Sequence, residues 1–315
     1  MFHLVLAVSL FGGNPAPVEE AATPIIGGTV VTSGNWRDTV AVIGAQGTCS
    51  GTLIAPDVVV TAGHCAEINP TRVKLDTIDM NGTGGITATV QSITAYPSWE
   101  TTYDVSVIKL ATPITAVPPR KVAAACTFTQ GWSTGTSVHL VGYGAIDIQA
   151  QGDNSKLYEV SVPLTDPTCA SGNGCQTAVS PDGEFTAGGA GRDSCNGDSG
   201  GPVYLDTPRG TLLVGAVSRA TDSATNPCGD GGIYVRIDKV TQWIETTTGR
   251  TLTKDECLTT PPSDPENPDP TGPASDPMNP DDGFDGPITG GCSAGGSSGA
   301  GFALLLGALL LRRRR

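Results

Sequence analysis

Three short segments carry residues able to turn a serine hydroxyl into a nucleophile. They are Thr61-Ala62-Gly63-His64-Cys65, Asp104-Val105-Ser106-Val107-Ile108-Lys109-Leu110, and the run from Gly191 to Pro202, which reads GRDSCNGDSGGP. A hydroxyl is a weak nucleophile near neutrality. It needs a base within hydrogen-bond reach and a third group that fixes the tautomer of that base. The chain has 3 histidines. His3 falls in an apolar N-terminal stretch and His139 in an apolar strand-like run, where a structural role is expected, which leaves His64 as the base. The chain order His, Asp, Ser is one of three in which this constellation occurs. The competing reading of Gly197-x-Ser199-x-Gly201 is a nucleophile elbow, which demands a histidine after the serine; none follows Ser199. Neither an HExxH motif nor a CxxC pair is present to suggest zinc, and no metal or cofactor is expected.

Such residues must be positioned by short extended elements. Between Ile25 and about Cys257 the sequence offers β-prone runs at Thr39–Gly44, Gly51–Ala55, Asp57–Ala62, Val105–Leu110, Ser137–Gly144, Thr211–Ser218 and Gly232–Ile237, separated by Gly, Pro and Asn. Many short strands with frequent turns predict an all-β sandwich or barrel. One helix is expected, with Asp238 capping KVTQWIETTT and Gly249 ending it. Hydrophobic residues make up 38% of the 315 and charged residues 16%, which excludes a wholly disordered chain. A net charge of −13 argues against non-specific nucleic-acid binding, which needs clustered Lys and Arg.

TAGHC, DVSVIKL and GRDSCNGDSGGP together resemble the three signatures of chymotrypsin/trypsin-family serine proteases, and the likeness runs from about Ile25 to Thr248. The resemblance implies two six-stranded Greek-key β-barrels with a C-terminal helix and the active site in the cleft between the barrels. It implies a serine endopeptidase acting on polypeptide substrates through an acyl-enzyme, with His64 as base and then acid, Asp104 orienting the imidazole and Ser199 as nucleophile. The backbone N–H groups of Gly197 and Ser199 would form the oxyanion hole. Asp193 matches the floor of a primary pocket that accepts Arg or Lys, with Ser218 and Gly232 at its walls. Where the family usually has Trp-Gly after that serine, this chain has Arg219-Ala220, and Arg219 is a candidate to neutralise Asp193 or block the cleft. Ile25 matches the activated N-terminus whose freed amine pairs with Asp198, although Pro24 stands where a zymogen usually has Arg or Lys. The resemblance further implies the disulfides Cys49–Cys65, Cys195–Cys228, Cys126–Cys257 and Cys169–Cys175. Asp76 and Asp79 sit where some relatives bind calcium, but without a clear ligand pattern a solvated loop is expected. The alternative reading is a catalytically silent homologue serving as a surface binding module.

The two ends read differently. Residues 1–22 open with an apolar core of signal-peptide length, although no Lys or Arg precedes Arg37. The protease domain is expected at 25–257. The stretch 258–291 is rich in Pro and Asp, and Thr259–Gly291 holds seven acidic and no basic residues, as an extended spacer would. Residues 292–315 combine Cys292, a small-residue run, an apolar block and four arginines. Ser293–Leu311 as helix would reach roughly 28 Å, enough for a bilayer core, with the arginines held in the cytoplasm. This order resembles the MYXO-CTERM sorting signal of myxobacterial surface proteins. It implies export, a membrane contact through the tail, a sorting or processing protease as partner, and display or release at the cell surface. Cys292 is then the ninth, unpaired cysteine.

Overall fold

The computed structural model describes residues 24–150 and 155–257. The expected leader, spacer and Cys292-containing tail lie outside the described residues. Six antiparallel strands close the first barrel: β2 (Thr39–Gly44), β3 (Gly47–Ala55), β4 (Val58–Thr61), β5 (Pro70–Leu75), β6 (Ile86–Ala95) and β7 (Ser106–Leu110), in the ring order β2-β3-β4-β7-β6-β5. Val40, Val42, Leu53, Val59, Val73, Leu75, Ile108 and Leu110 fill its interior. Each such side chain withdrawn from water contributes about 1.5–3 kcal/mol.

The second barrel is built from β8 (Ser137–Gly142), β9 (Tyr158–Asp166), β10 (Glu184–Ala187), β11 (Pro202–Thr207), β12 (Gly210–Ala220) and β13 (Gly232–Arg236). Its order β9-β10-β13-β12-β11-β8 closes through the β8–β9 pairing, and the short β1 (Thr29–Val30) adds to the outside of β9. Alternation along β9, with Tyr158, Val160, Val162 and Leu164 buried, turns one face of the strand into the core. Two six-stranded antiparallel barrels followed by a helix make this the chymotrypsin fold.

The helix spans Ile237–Thr248 and ends at Gly249, whose φ of 68° is the left-handed C-terminal conformation expected of glycine. Its start differs from expectation. The helix begins at Ile237, so Asp238 lies in the first turn, and its carboxylate takes the Arg236 guanidinium (3.1 and 2.9 Å) instead of capping backbone N–H groups. The helix end is tied to the first barrel by Arg250 against Asp57 (2.7 Å) and by Lys109 Nζ donating to the Thr248 carbonyl (3.2 Å). A buried network also joins the barrels. Asp38 accepts from Arg120 and from the Tyr204 hydroxyl (2.7 Å), and Trp36 stacks on Tyr204 with centroids 4.6 Å apart. Four disulfides, Cys49–Cys65, Cys126–Cys257, Cys169–Cys175 and Cys195–Cys228, brace the loops.

Candidate active site

His64 opens a single 3-10 turn after β4, and Asp104 stands two residues before β7. Because β4 and β7 pair antiparallel, with Thr61 opposite Ser106, the two side chains emerge side by side at one end of the first barrel. His64 Nδ1 lies 2.9 Å from Asp104 Oδ2 and 3.2 Å from Oδ1, and the His64 backbone N–H donates to Oδ1 at 3.0 Å. Ser218 on β12 donates its hydroxyl to Oδ2 at 2.6 Å. Asp104 is buried. Burial by itself would raise its carboxyl, but the His64 ring and its charge, with the Ser218 hydroxyl, hold it below the usual carboxylate range.

Ser199 comes from the loop that leads into β11. First-barrel backbone holds this loop. The Ser50 N–H donates to the Ser199 carbonyl (2.9 Å), and the Ser50 hydroxyl donates to the Gly197 carbonyl (2.9 Å) while accepting from Tyr143 N–H (3.0 Å). The Cys65 sulfur lies 3.6 Å from the Ser199 carbonyl oxygen, so the serine adjoins the segment that carries His64. Ser50 was not singled out by the sequence. A lone serine within a β-prone run carries no local signal, because its importance comes from a loop some 150 residues away.

Two glycines make this approach possible. Gly197 has φ 98° and Gly200 has φ 75°, both in the left-handed region that glycine enters without a Cβ clash. A Cβ on Gly200 would fall 2.1 Å from Thr61 Oγ1 and 2.3 Å from the Ala62 nitrogen. Gly200→Ala is therefore expected to push Ser199 away from the His64 segment. Since a displacement near 1 Å can cost about 10²-fold, kcat should fall by at least that factor, measured beside a folded-state control such as near-ultraviolet circular dichroism.

Asp193, Ser194, Cys195, Ser199, Ser218 and Gly232 line a cavity of about 60 Å³. Of these, Asp193 is 3% exposed. Its Oδ2 accepts the N–H groups of Gly231 (2.9 Å) and Gly229 (3.3 Å), and its Oδ1 accepts Ser194 N–H (2.7 Å) and the Tyr234 hydroxyl (3.2 Å). Burial raises the Asp193 carboxyl, and these four donors oppose the rise. Arg219 does not reach for Asp193. Its guanidinium turns to the buried Glu184, with Nη1–Oε1 at 2.8 Å and Nη2–Oε2 at 3.0 Å. Glu184 was missed in the sequence, since nothing local to it announces a partner 35 residues away.

Ile25 is fully buried, and Ile26 accepts the Asp193 N–H at 3.1 Å. Ile25 has φ 34°, an unfavourable conformation for a β-branched residue. Asp198, 1% exposed, accepts Cys195 N–H (2.9 Å) and Gly144 N–H (2.8 Å). Burial pushes its carboxyl up to about 7 against those two hydrogen bonds, and the Asp193 charge adds to the rise.

The remaining candidates lie elsewhere. His139 bridges Asp206 (3.0 Å) and Ser161 (2.9 Å) on the second barrel. Asp76 pairs with Arg37 (2.7 Å), and Asp79 accepts the N–H groups of Asn81 and Gly82. Two clusters of His, Cys and acidic side chains lie close enough to share an ion among the described residues, Cys49-His64-Cys65 and Cys169-Cys175-Glu184. In both, the sulfurs are consumed by disulfides.

A protein-family model described as trypsin matches residues 25–244, and the chain belongs to that family. It is 29% identical over 224 residues to phenoloxidase-activating factor 3 of Holotrichia diomphalia, covering 62% of this chain and 63% of that protein. It is 25% identical over 260 residues to chymotrypsin-like elastase family member 1 of Bos taurus, covering 78% and 97%. To trypsin Blo t 3 of Blomia tropicalis it is 29% identical over 209 residues, covering 62% and 76%.

Proposed function

We propose that this trypsin-family chain is an active serine endopeptidase that cleaves polypeptides after Arg or Lys, with His64, Asp104 and Ser199 as its catalytic triad. The observation that carries the reading is the contact of His64 Nδ1 with Asp104. With the Nδ1–H spent on the carboxylate, Nε2 keeps the lone pair that takes the Ser199 proton as the hydroxyl attacks the substrate carbonyl. The imidazolium then gives that proton to the leaving amine. The N–H groups of Gly197 and Ser199 stabilise the oxyanion, each worth about 2.7–4 kcal/mol in such sites. Water, activated by the same histidine, releases the acyl group.

Asp193 supports the preference for a basic side chain. It is a buried acid whose hydrogen-bond donors are all neutral, and Arg219 is spent on Glu184. A substrate guanidinium or ammonium supplies the missing cation. Hydrolysis of blocked fluorogenic peptides with Arg, Lys, Phe or Ala before the scissile bond tests this. Arg and Lys substrates should be strongly preferred, and a flat profile contradicts it.

Cleavage between Pro24 and Ile25 would release the strained Ile25 backbone and create an ammonium for Asp198. N-terminal sequencing of active enzyme should begin at Ile25; another start removes this mechanism. The pH dependence of stability gives a second test. In the uncut chain Asp198 titrates at about 7 instead of the ordinary 3.8. The folded state therefore holds this proton more tightly than the unfolded state does. The stabilisation is complete below about pH 4 and is lost as pH rises to about 7, with a slope of at most about 1.4 kcal/mol per pH unit. Urea unfolding of the Ser199→Ala protein between pH 4 and 8 should show this loss before the cut, and a much flatter profile after it. The reading of the tail as a surface-sorting signal, and of the protein as exported, rests on the sequence of residues 292–315 and on the four disulfides.

A further inference from the structure

The Arg219 guanidinium uses every N–H it has. Nε and Nη2 donate to the Gly174 carbonyl (3.2 and 2.8 Å), Nη1 and Nη2 donate to Glu184, and Nη1 also donates to Ser218 Oγ at 2.9 Å. Glu184 is 0% exposed and takes a further N–H from Gln176 at 2.7 Å. Saturation leaves Arg219 no donor for a substrate carboxylate, so recognition of acidic residues is not its task.

Its bond to Ser218 has a directional consequence. A guanidinium only donates, whereas a serine hydroxyl has one proton and two lone pairs. With Arg219 occupying a lone pair of Ser218, the single hydroxyl proton is left for Asp104 Oδ2, 2.6 Å away. That same oxygen receives His64 Nδ1. Resting on the catalytic reading above, we propose that Arg219, anchored by Glu184, is a positioning residue that locks the Ser218 hydroxyl as a donor to Asp104 and so holds the Asp104–His64 pair in its working arrangement. The hydrogen-bonded series runs Glu184, Arg219, Ser218, Asp104, His64, and joins β10 and β12 of the second barrel to the two first-barrel members of the triad.

Other charged groups near this face are Arg236, which pairs with Asp238 at 2.9 Å and with Asp182 at 3.3 Å, and Asp222 beside Gly174; Tyr103 lies near the Arg236–Asp238 pair. None of these changes in the variants chosen here. The primary variant is the double substitution Glu184→Gln/Arg219→Met. It removes one charge of each sign, leaves no unpaired buried ion and abolishes donation to Ser218. Without that lock the Ser218 proton turns away part of the time, and Asp104 holds the His64 proton more strongly. The acid limb of the kcat/KM profile should move to higher pH by roughly 0.4–1 unit, with kcat lower by about threefold to tenfold, the span of one net hydrogen bond. Arg219→Lys keeps the cation and can still donate, so its profile should stay near the parent. In a Ser218→Ala background the double substitution should shift the acid limb no further.

An unmoved acid limb with only KM raised overturns the proposal and leaves Arg219 as a cleft wall. A full shift that persists in the Ser218→Ala background also overturns it. Ser199→Ala measured alongside separates the two levels: if that variant keeps full activity, the triad reading fails, whatever Arg219 does.

Discussion

Replacing Ser199 with alanine is expected to lower kcat by about five to six orders of magnitude while the protein stays folded. The size of the effect follows from interdependence. In the proposed triad, a chain without the hydroxyl would leave His64 no nucleophile to activate and the ordered Asp104 contact no reaction to serve, so removing one member would cost about as much as removing all. Folding is spared because the loop is held by its backbone. Ser50 grips the Ser199 and Gly197 carbonyls, Gly200 N–H reaches the Val217 carbonyl at 2.7 Å, and Gly201 N–H reaches the Asp198 carbonyl at 2.7 Å. None of these bonds uses the Ser199 side chain. Steady-state kinetics on an Arg-containing fluorogenic peptide, with a thermal melt of the same sample, measures both halves. A variant retaining more than about one-hundredth of the parent rate would place the nucleophile elsewhere.

The second large effect is expected at Asp193. Asp193→Asn keeps a side chain of the same size and an acceptor for part of the ring formed by Gly229, Gly231, Ser194 and Tyr234, but removes the charge. A substrate cation entering this pocket would lose the counter-charge that Asp193 supplies after being stripped of water. Breaking a buried pair costs about 3–5 kcal/mol, so kcat/KM for Arg and Lys substrates should drop by roughly 10²- to 10⁴-fold. Substrates with Phe or Ala at the same position should change little. Equal losses for all four would show that Asp193 shapes the loop without reading the side chain.

How much of this was legible in the sequence depends on where the signal for each residue resides. His64, Asp104 and Ser199 sit in contiguous segments whose neighbours carry the information: the alternating apolar run after Asp104 makes β7, and the glycines about Ser199 permit its tight loop. The barrels are legible for the same reason where strands such as β2 and β4 are continuously apolar. β6 is harder to read, because its Thr and Ser residues alternate toward solvent and leave little hydrophobic contrast. Ser50 and Glu184 are opaque. Each looks like an ordinary polar residue on a strand, and its role exists only after folding brings Gly197 or Arg219 against it. The same limit applies to Arg219. The family resemblance makes it a candidate to neutralise Asp193 or block the cleft, and only the buried acid on β10 shows why the guanidinium turns away from Asp193. At Asp238, local capping chemistry points to a helix start that the adjacent Arg236 overrides by claiming the carboxylate.

The most direct measurement is covalent labelling with a serine-directed phosphonate ester bearing an Arg-like side chain, read by intact-protein mass spectrometry on enzyme that begins at Ile25. An active triad with an acidic pocket floor should take up one equivalent, located by peptide mapping at Ser199, and the Ser199→Ala protein should take up none. Absence of labelling in the cleaved parent protein, or labelling that survives Ser199→Ala, would contradict the catalytic assignment.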